Sequence, residues 1–379
     1  MLLKSKSLFI VALMSVLSTS AYSATESMNN FPREQLRKFS EVYSVIKDNY
    51  VEDIDDNKLF NDAIAGALAG LDPHSTYLDY EGLKDFGIAT GGTGGTYYPL
   101  GGMLAQLISN KATVDGKKIT ATAEASGASV GNAKLLGTKD IESSFVAADI
   151  LDAAYNGKAQ FANAPLKNLR ALGALYPETV QLITRADSGI NSVKDLKGKS
   201  ISSGAPGSGQ YQLVTDLLKV YGMARTDVKE DSSSFTQAVD KIKDGNLHAT
   251  LITGGVPVAA VTDFAQSHAL KIIPLSGPEV NTLLKEQPYY TQVQLPANSY
   301  KGQTAAVSTL AVMAIWATHD GVPENVAYEV TKALYENTAI MGQVHVQGKN
   351  ISLNTATSVA SVPLHPGALR YYKEKSIAK

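Results

Sequence analysis

The chain has 379 residues, long enough to bury a large core and to form more than one lobe. Its 34 basic and 36 acidic residues leave a net charge of −2, so no basic face recommends nucleic acid or a membrane surface as partner. It has no cysteine, which removes disulfides, thiol nucleophiles, thiolate metal sites and a bacterial lipoprotein anchor together.

At the N-terminus, Lys4 and Lys6 precede an apolar run from Leu8 to Leu17, and small residues follow up to Ala21-Tyr22-Ser23-Ala24. This is the pattern of a cleaved signal peptide over residues 1–24, with cleavage expected near Ser23 or Ala24 and a periplasmic mature protein. As a membrane anchor the run falls short, at roughly half the ~20 residues a span needs.

From Pro32, the spacing of Leu36, Phe39, Val42, Tyr43, Ile46 and Tyr50 predicts a helix with one apolar face. Asp55 or Asp56 can cap a second helix carrying Leu59, Phe60, Ala63, Ile64, Ala67 and Leu68. Gly70 ends it, and LDPHSTYLD reads as a turn in which His74 is a capping residue rather than a catalytic one.

Beyond residue 87 the chain alternates strands with short helices, which predicts α/β sheets rather than a sandwich. Ile88 and Ala89 lead into Gly91, Gly92, Gly94 and Gly95, then Thr96-Tyr97-Tyr98-Pro99 and an apolar helical run through Leu104 and Ile108. A strand, a glycine loop and a helix start leave backbone N–H groups aimed at an anion. Strands are also expected over 121–125, 144–148, 168–175 and 180–185, with the third of these passing between lobes. The glycine-loop construction recurs at Ser203 to Gln210 and again at Thr253 to Pro257. GGTGG lacks the Lys-Ser or Lys-Thr of a P-loop and the glycine spacing of a dinucleotide fingerprint. The 6 histidines are scattered, with no pair at metal-ligand spacing, so neither a cofactor nor a catalytic centre is expected.

Two resemblances follow from these stretches. LRKFSEVYSVIKDNYVEDIDDNKLFNDAIAGALAGLDPHSTYLD resembles the N-terminal helical segment of the carboxyl-terminal processing peptidases. In that family a PDZ domain and a serine–lysine core follow; here neither does, so a protease would lack its nucleophile and base. The resemblance implies self-association through residues 33–86. The second covers about 88–373: TGGTGGTYYPLGG, NLRALGALYPE, RADSGINSVKDLKGK, APGSGQ, QPYY and PLHPGALRYYKE together resemble the TAXI family of solute-binding receptors, which serve TRAP transporters.

That likeness implies a two-lobed, Venus-flytrap α/β fold, with residues 87–180 and 297–379 in one lobe and 181–296 in the other, after a helical extension over 25–86. It implies a cleft lined by Thr93, Gly94, Tyr97 and Tyr98, by Ser126 and Ser129, by Ser208, Gly209 and Gln210, and by Gly254 and Gly255. One of the two tyrosines is expected to face the cleft and the other to pack into the core. The implied ligand is a small organic anion of glutamate or dicarboxylate type, passed on to TRAP membrane subunits. Arg170 suits a salt bridge as well as a ligand contact, and His365 a structural place against the first lobe. The rival expectation is an inactive relative, or a fusion, of a processing peptidase, with the join near residue 87.

Overall fold

A computed structural model describes residues 33–50, 85–114, 116–359 and 362–378, with residues 56, 59, 60 and 63 between the first two stretches. The chain divides into two compact units, residues 1–79 and 80–379. The expected signal peptide, the turn around His74 and most of the second expected helix lie outside the described residues.

In the first unit, helix α1 spans Arg33–Asn49. Phe60, one of the described helical residues that follow, stacks against Tyr43 and Phe39 at ring-centroid distances of 5.1 and 5.6 Å. Lys47 pairs with Asp56 at 2.6 Å, a second contact between α1 and these residues. Phe39, Val42, Val45 and Tyr50 remain exposed on it.

The second unit is a mixed α/β structure built on a 10-stranded sheet. Its first part runs β1 (Asp85–Ala89), α2 (Tyr97–Lys111), the short ribbon β2 (Thr113–Val114) and β3 (Lys117–Lys118), β4 (Thr120–Glu124), α3 (Ser129–Thr138), β5 (Ser143–Ala147) and α4 (Ala148–Asn156). Leu100, Leu104, Leu107 and Ile108 of α2 are buried, the i, i+4, i+7, i+8 stripe that fixes a helix on a sheet. β1 lies between β4 and β5, parallel to both.

Next comes β6 (Leu169–Arg185), a 17-residue strand covering what the sequence predicts as two. Then follow β7 (Ser200–Ser202), α5 (Gln210–Val220), β8 (Lys229–Asp231), α6 (Phe235–Lys243), β9 (Ala249–Gly254), α7 (Ala259–Ser267), β10 (Leu270–Ile273), α8 (Pro278–Glu286) and β11 (Tyr290–Leu295). The chain returns through β12 (Val307–His319), α9 (Glu324–Tyr335), the one-turn α10 (Thr338–Met341) and α11 (Pro366–Glu374).

β6 and β12 run antiparallel and join the two lobes. The first half of β6, from Leu169, pairs with the second half of β12, which itself borders β5. The second half of β6, from Thr179, pairs with β9 and β10, while the first half of β12 pairs with β11. One apolar cluster, including Val146, Leu151, Ile315, Leu251 and Leu217, continues across both lobes. The first lobe has a further core with Phe86, Leu104, Trp316 and Tyr372, and the second has one with Val239, Ile252 and Phe264.

The C-terminal segment closes on the first lobe. His365 is buried at the start of α11, where its ring accepts a hydrogen bond from the Gly367 amide, and it lies 3.0 Å from the Val322 carbonyl. The Tyr372 hydroxyl donates to the Leu172 carbonyl at 2.5 Å and that of Tyr335 to the Ala174 carbonyl at 2.9 Å. Arg170 donates to the carbonyls of Lys167 and Leu169 at the edge of this lobe.

Candidate functional site

A cavity of about 300 Å³ lies between the lobes, at the low end of the range typical of small-molecule sites. Four helix starts reach it beside that of α6, which is capped by the Ser234 side chain: Thr96 and Tyr97 at α2, Ala128 and Ser129 at α3, Ala147 and Asp149 at α4, and Gly209 and Gln210 at α5. None of the four has a side-chain cap, so their first N–H groups depend on other partners. At α3 the partner is backbone: the Gly207 carbonyl, from the opposite lobe, accepts from Val130 at 2.8 Å and Gly131 at 3.0 Å.

Buried side chains hold these loops in place. Asn132 donates to the carbonyls of Thr90 and Phe145, both at 2.7 Å, tying α3 to the ends of β1 and β5. Ser126 donates to Asn132 Oδ1 at 2.6 Å and accepts from the Ala128 amide. Ser129 accepts from the Ala147 amide at 3.1 Å. Both serines therefore shape the wall as well as line it.

The floor is acidic. Glu178, on β6 and 4% exposed, accepts a hydrogen bond from the Tyr97 hydroxyl at 2.8 Å. Its carboxyl is pushed up to about 8, chiefly by burial, with the Tyr97 hydrogen bond lowering it and the neighbouring Asp149 adding a smaller upward push. Asp149, in the first turn of α4, accepts from the Tyr290 hydroxyl at 2.6 Å, and burial raises its carboxyl as well. Phe235, Leu213 and Val312 supply apolar wall, and among the described residues no lysine, arginine or histidine lines the cavity.

Of the residues singled out from sequence, Thr93, Gly94, Tyr97, Ser126, Ser129, Ser208, Gly209 and Gln210 all line this cavity. Tyr98, Gly254 and Gly255 do not line it. Tyr97 is buried at the cavity, whereas Tyr98 is 39% exposed rather than packed in the core, since consecutive residues on a helix point about 100° apart. The Gly255 carbonyl accepts from Thr96 Oγ1 at 3.0 Å, and a Cβ at Gly255 would stand 2.6 Å from Gln347 Cγ. Its lack of a side chain lets the two lobes approach each other. His345 and Gln347 extend the same contact, meeting the carbonyls of Pro257 and Val256 at 2.9 and 2.8 Å. The sequence reading misses Glu178, Asp149, Tyr290, Phe235 and Thr236, and has Thr253 only as the start of the third glycine loop. Glu178 is the one carboxylate of β6, a weak signal in a strand that also carries Arg170, Thr179, Gln181 and Thr184.

The profile of the NMT1-like family matches residues 88–376. The chain belongs to the NMT1-like family. Ahead of this NMT1-like domain, residues 7–82 match the N-terminal domain of the activating protease CtpB. The chain is 38% identical over 90 residues to a carboxy-terminal-processing protease of Bartonella bacilliformis, covering 23% of this chain and 21% of that protein. It is 36% identical over 80 residues to the carboxy-terminal processing protease CtpA of Bacillus subtilis, covering 21% and 16%. The chain thus spans about a fifth of the length of these curated relatives.

Among solved structures, the periplasmic aliphatic sulphonate binding protein SsuA of Escherichia coli has 16% identity and a TM-score of 0.43, over 76% of this chain and 82% of that one. The alkanesulfonate-binding protein SsuA of Xanthomonas axonopodis pv. citri, bound to MOPS, has 15% identity and a TM-score of 0.42, over 77% and 91%. Among the described residues, no helix is long and apolar enough to cross a membrane.

Proposed function

We propose that the chain is an extracytoplasmic solute receptor that captures a small organic anion between two lobes and delivers it to the membrane subunits of a TRAP transporter. The observation that carries this reading is the inter-lobe cavity on which helix starts from both lobes converge, with serine and threonine hydroxyls between them. Helix N-termini attract negative charge, each worth roughly 0.3–1 kcal/mol near the surface and more when sheltered. The action is capture and release: the ligand favours the closed arrangement, and no reaction is required. Residues 87–180 with 297–379 and residues 181–296 serve as the lobes, hinged where β6 and β12 cross. The TAXI-like stretches quoted above support the TRAP assignment, and the basic-then-apolar start of the chain supports export and cleavage near Ser23 or Ala24. The exposed Phe39, Val42, Val45 and Tyr50 support self-association through 33–86.

A thermal-shift screen of the mature protein against carboxylates and amino acids tests the reading. A ligand at about 100 times its Kd stabilises by ~2.7 kcal/mol. Replacing Thr93 or Ser208 with a bulkier residue is expected to abolish the shift. A screen in which no small anion moves the melting temperature would remove the main support.

A further inference from the structure

The polar groups of this cavity make two different demands on a solute. At the starts of α2 and α5, one from each lobe, backbone N–H groups without side-chain caps favour negative charge. Beside them, Ser208 and Gln210 are more than nine-tenths buried, and their Oγ and Oε1 atoms have no hydrogen-bond partner in the protein. An unpartnered amide oxygen accepts only, so it asks the solute for an N–H or O–H donor. The floor asks for the same. Glu178 and Asp149 bring two carboxyl groups into one cavity, each satisfied in part by a tyrosine hydroxyl, with no basic side chain among the described lining residues to pair with either.

A solute that carries carboxylates alone would suit the helix starts and leave Glu178 and Asp149 without a cation to offset the cost of ionising them. A simple amine would do the reverse. We propose that the natural solute carries both groups, a carboxylate held at the helix starts of α2 and α5 and a cationic nitrogen held by Glu178 and Asp149, making it a small zwitterion of the amino-acid class. The inference rests on the receptor reading and narrows its ligand: Glu178 and Asp149 act as specificity determinants that turn away nitrogen-free acids of the same size. Buried charges are stable only when paired, and here the pairing group arrives with the solute.

The test is a thermal-shift panel on the mature protein, using common amino acids, each paired with its deaminated acid, for example L-glutamate with glutarate and L-leucine with isocaproate. Titration calorimetry on the best pair then gives the two affinities. At least one amino acid is expected to bind about tenfold or more tighter than its deaminated partner. In the Glu178→Gln protein that amino acid should lose at least about tenfold, while the deaminated acid binds unchanged or better. Glutamine keeps the acceptor for Tyr97, and circular dichroism without ligand reports whether the variant is folded; Asp149→Asn carries the same comparison if it is not. Deaminated acids that match or exceed their amino partners in affinity overturn this inference and leave the receptor reading standing. If no compound of either kind shifts the melting temperature, the receptor reading falls and takes this inference with it.

Discussion

Glu178 sits where an ionised carboxylate is costly, and its folded-state value of about 8 makes that cost measurable. The titratable groups around it are Tyr97, Asp149, Tyr176 and Tyr290, none of them cationic. Between an unfolded value near 4.5 and the folded value near 8, the native state holds a proton that the unfolded chain has released. Stability of the ligand-free protein should therefore fall as pH rises from about 5 to about 8, by ~1.4 kcal/mol for each pH step of about one, and level off beyond. Melting curves across that range check it, and Glu178→Gln should flatten the slope. Binding of a cationic nitrogen pulls the same equilibrium toward the ionised form, so affinity for an amino acid should tighten from about pH 6 to about pH 8. The glycine loops and hydroxyls of this site are legible in the sequence because each stands beside a helix start. Glu178 is not, since its Leu-Tyr-Pro-Glu-Thr-Val surroundings match a strand with one solvent-facing polar residue, and only the cavity above it reveals its role.

Among the elements, the loop before α3 and the loop before α5 meet across the lobes, and their spacing depends on absent side chains. A Cβ at Gly127 would lie 3.1 Å from the Pro206 carbonyl oxygen, while Gly207, at φ +89°, gives α3 its backbone cap. Gly127→Val should keep the lobes from closing without disturbing either core. The expected outcome is at least about a tenfold loss of affinity, a ligand-free melting temperature within a few degrees of the parent, and no ligand-induced compaction by small-angle scattering. Element types are largely readable: the predicted strands at 121–125 and 144–148 stand within one residue of β4 and β5. β6 reads in sequence as two strands because Pro177 and Glu178 look like punctuation, yet the ladder passes through them, with Met313 opposite Pro177 and Val312 opposite Glu178. The long β12 is buried on both faces, so it shows no alternation for a periodicity argument to use. Gly254 and Gly255 show the converse limit. A glycine pair before a helix signals close approach of something, and here that is the other lobe rather than the ligand.

For the molecule as a whole, the change of character near residue 87 is visible in sequence as two resemblances that do not overlap, and the family matches divide at the same place. Removal of residues 25–79, which spares Asp85 and Phe86 of β1, should leave ligand affinity and the melting of the remainder unchanged. Light scattering on the same deletion tests the partner role of the extension: loss of self-association is expected, and an unchanged oligomeric state would count against it. How the lobes are shared between distant parts of the chain is legible only through the family likeness. Local periodicity carries no information on which strands become neighbours, and pairings such as Ala171 with Ala317 join residues far apart in sequence.

The two shared strands tie the unfolding of one lobe to that of the other. Each of β6 and β12 belongs to both lobes, and the apolar cluster including Leu151 and Leu251 extends from one lobe into the other. Losing either lobe would fray the strands on which its neighbour is built. Heating the domain should therefore give a single calorimetric peak, with van't Hoff and calorimetric enthalpies in agreement, despite its two-part shape. A ligand gripped at the cleft then stiffens one cooperative body, and its full binding energy appears in that one transition.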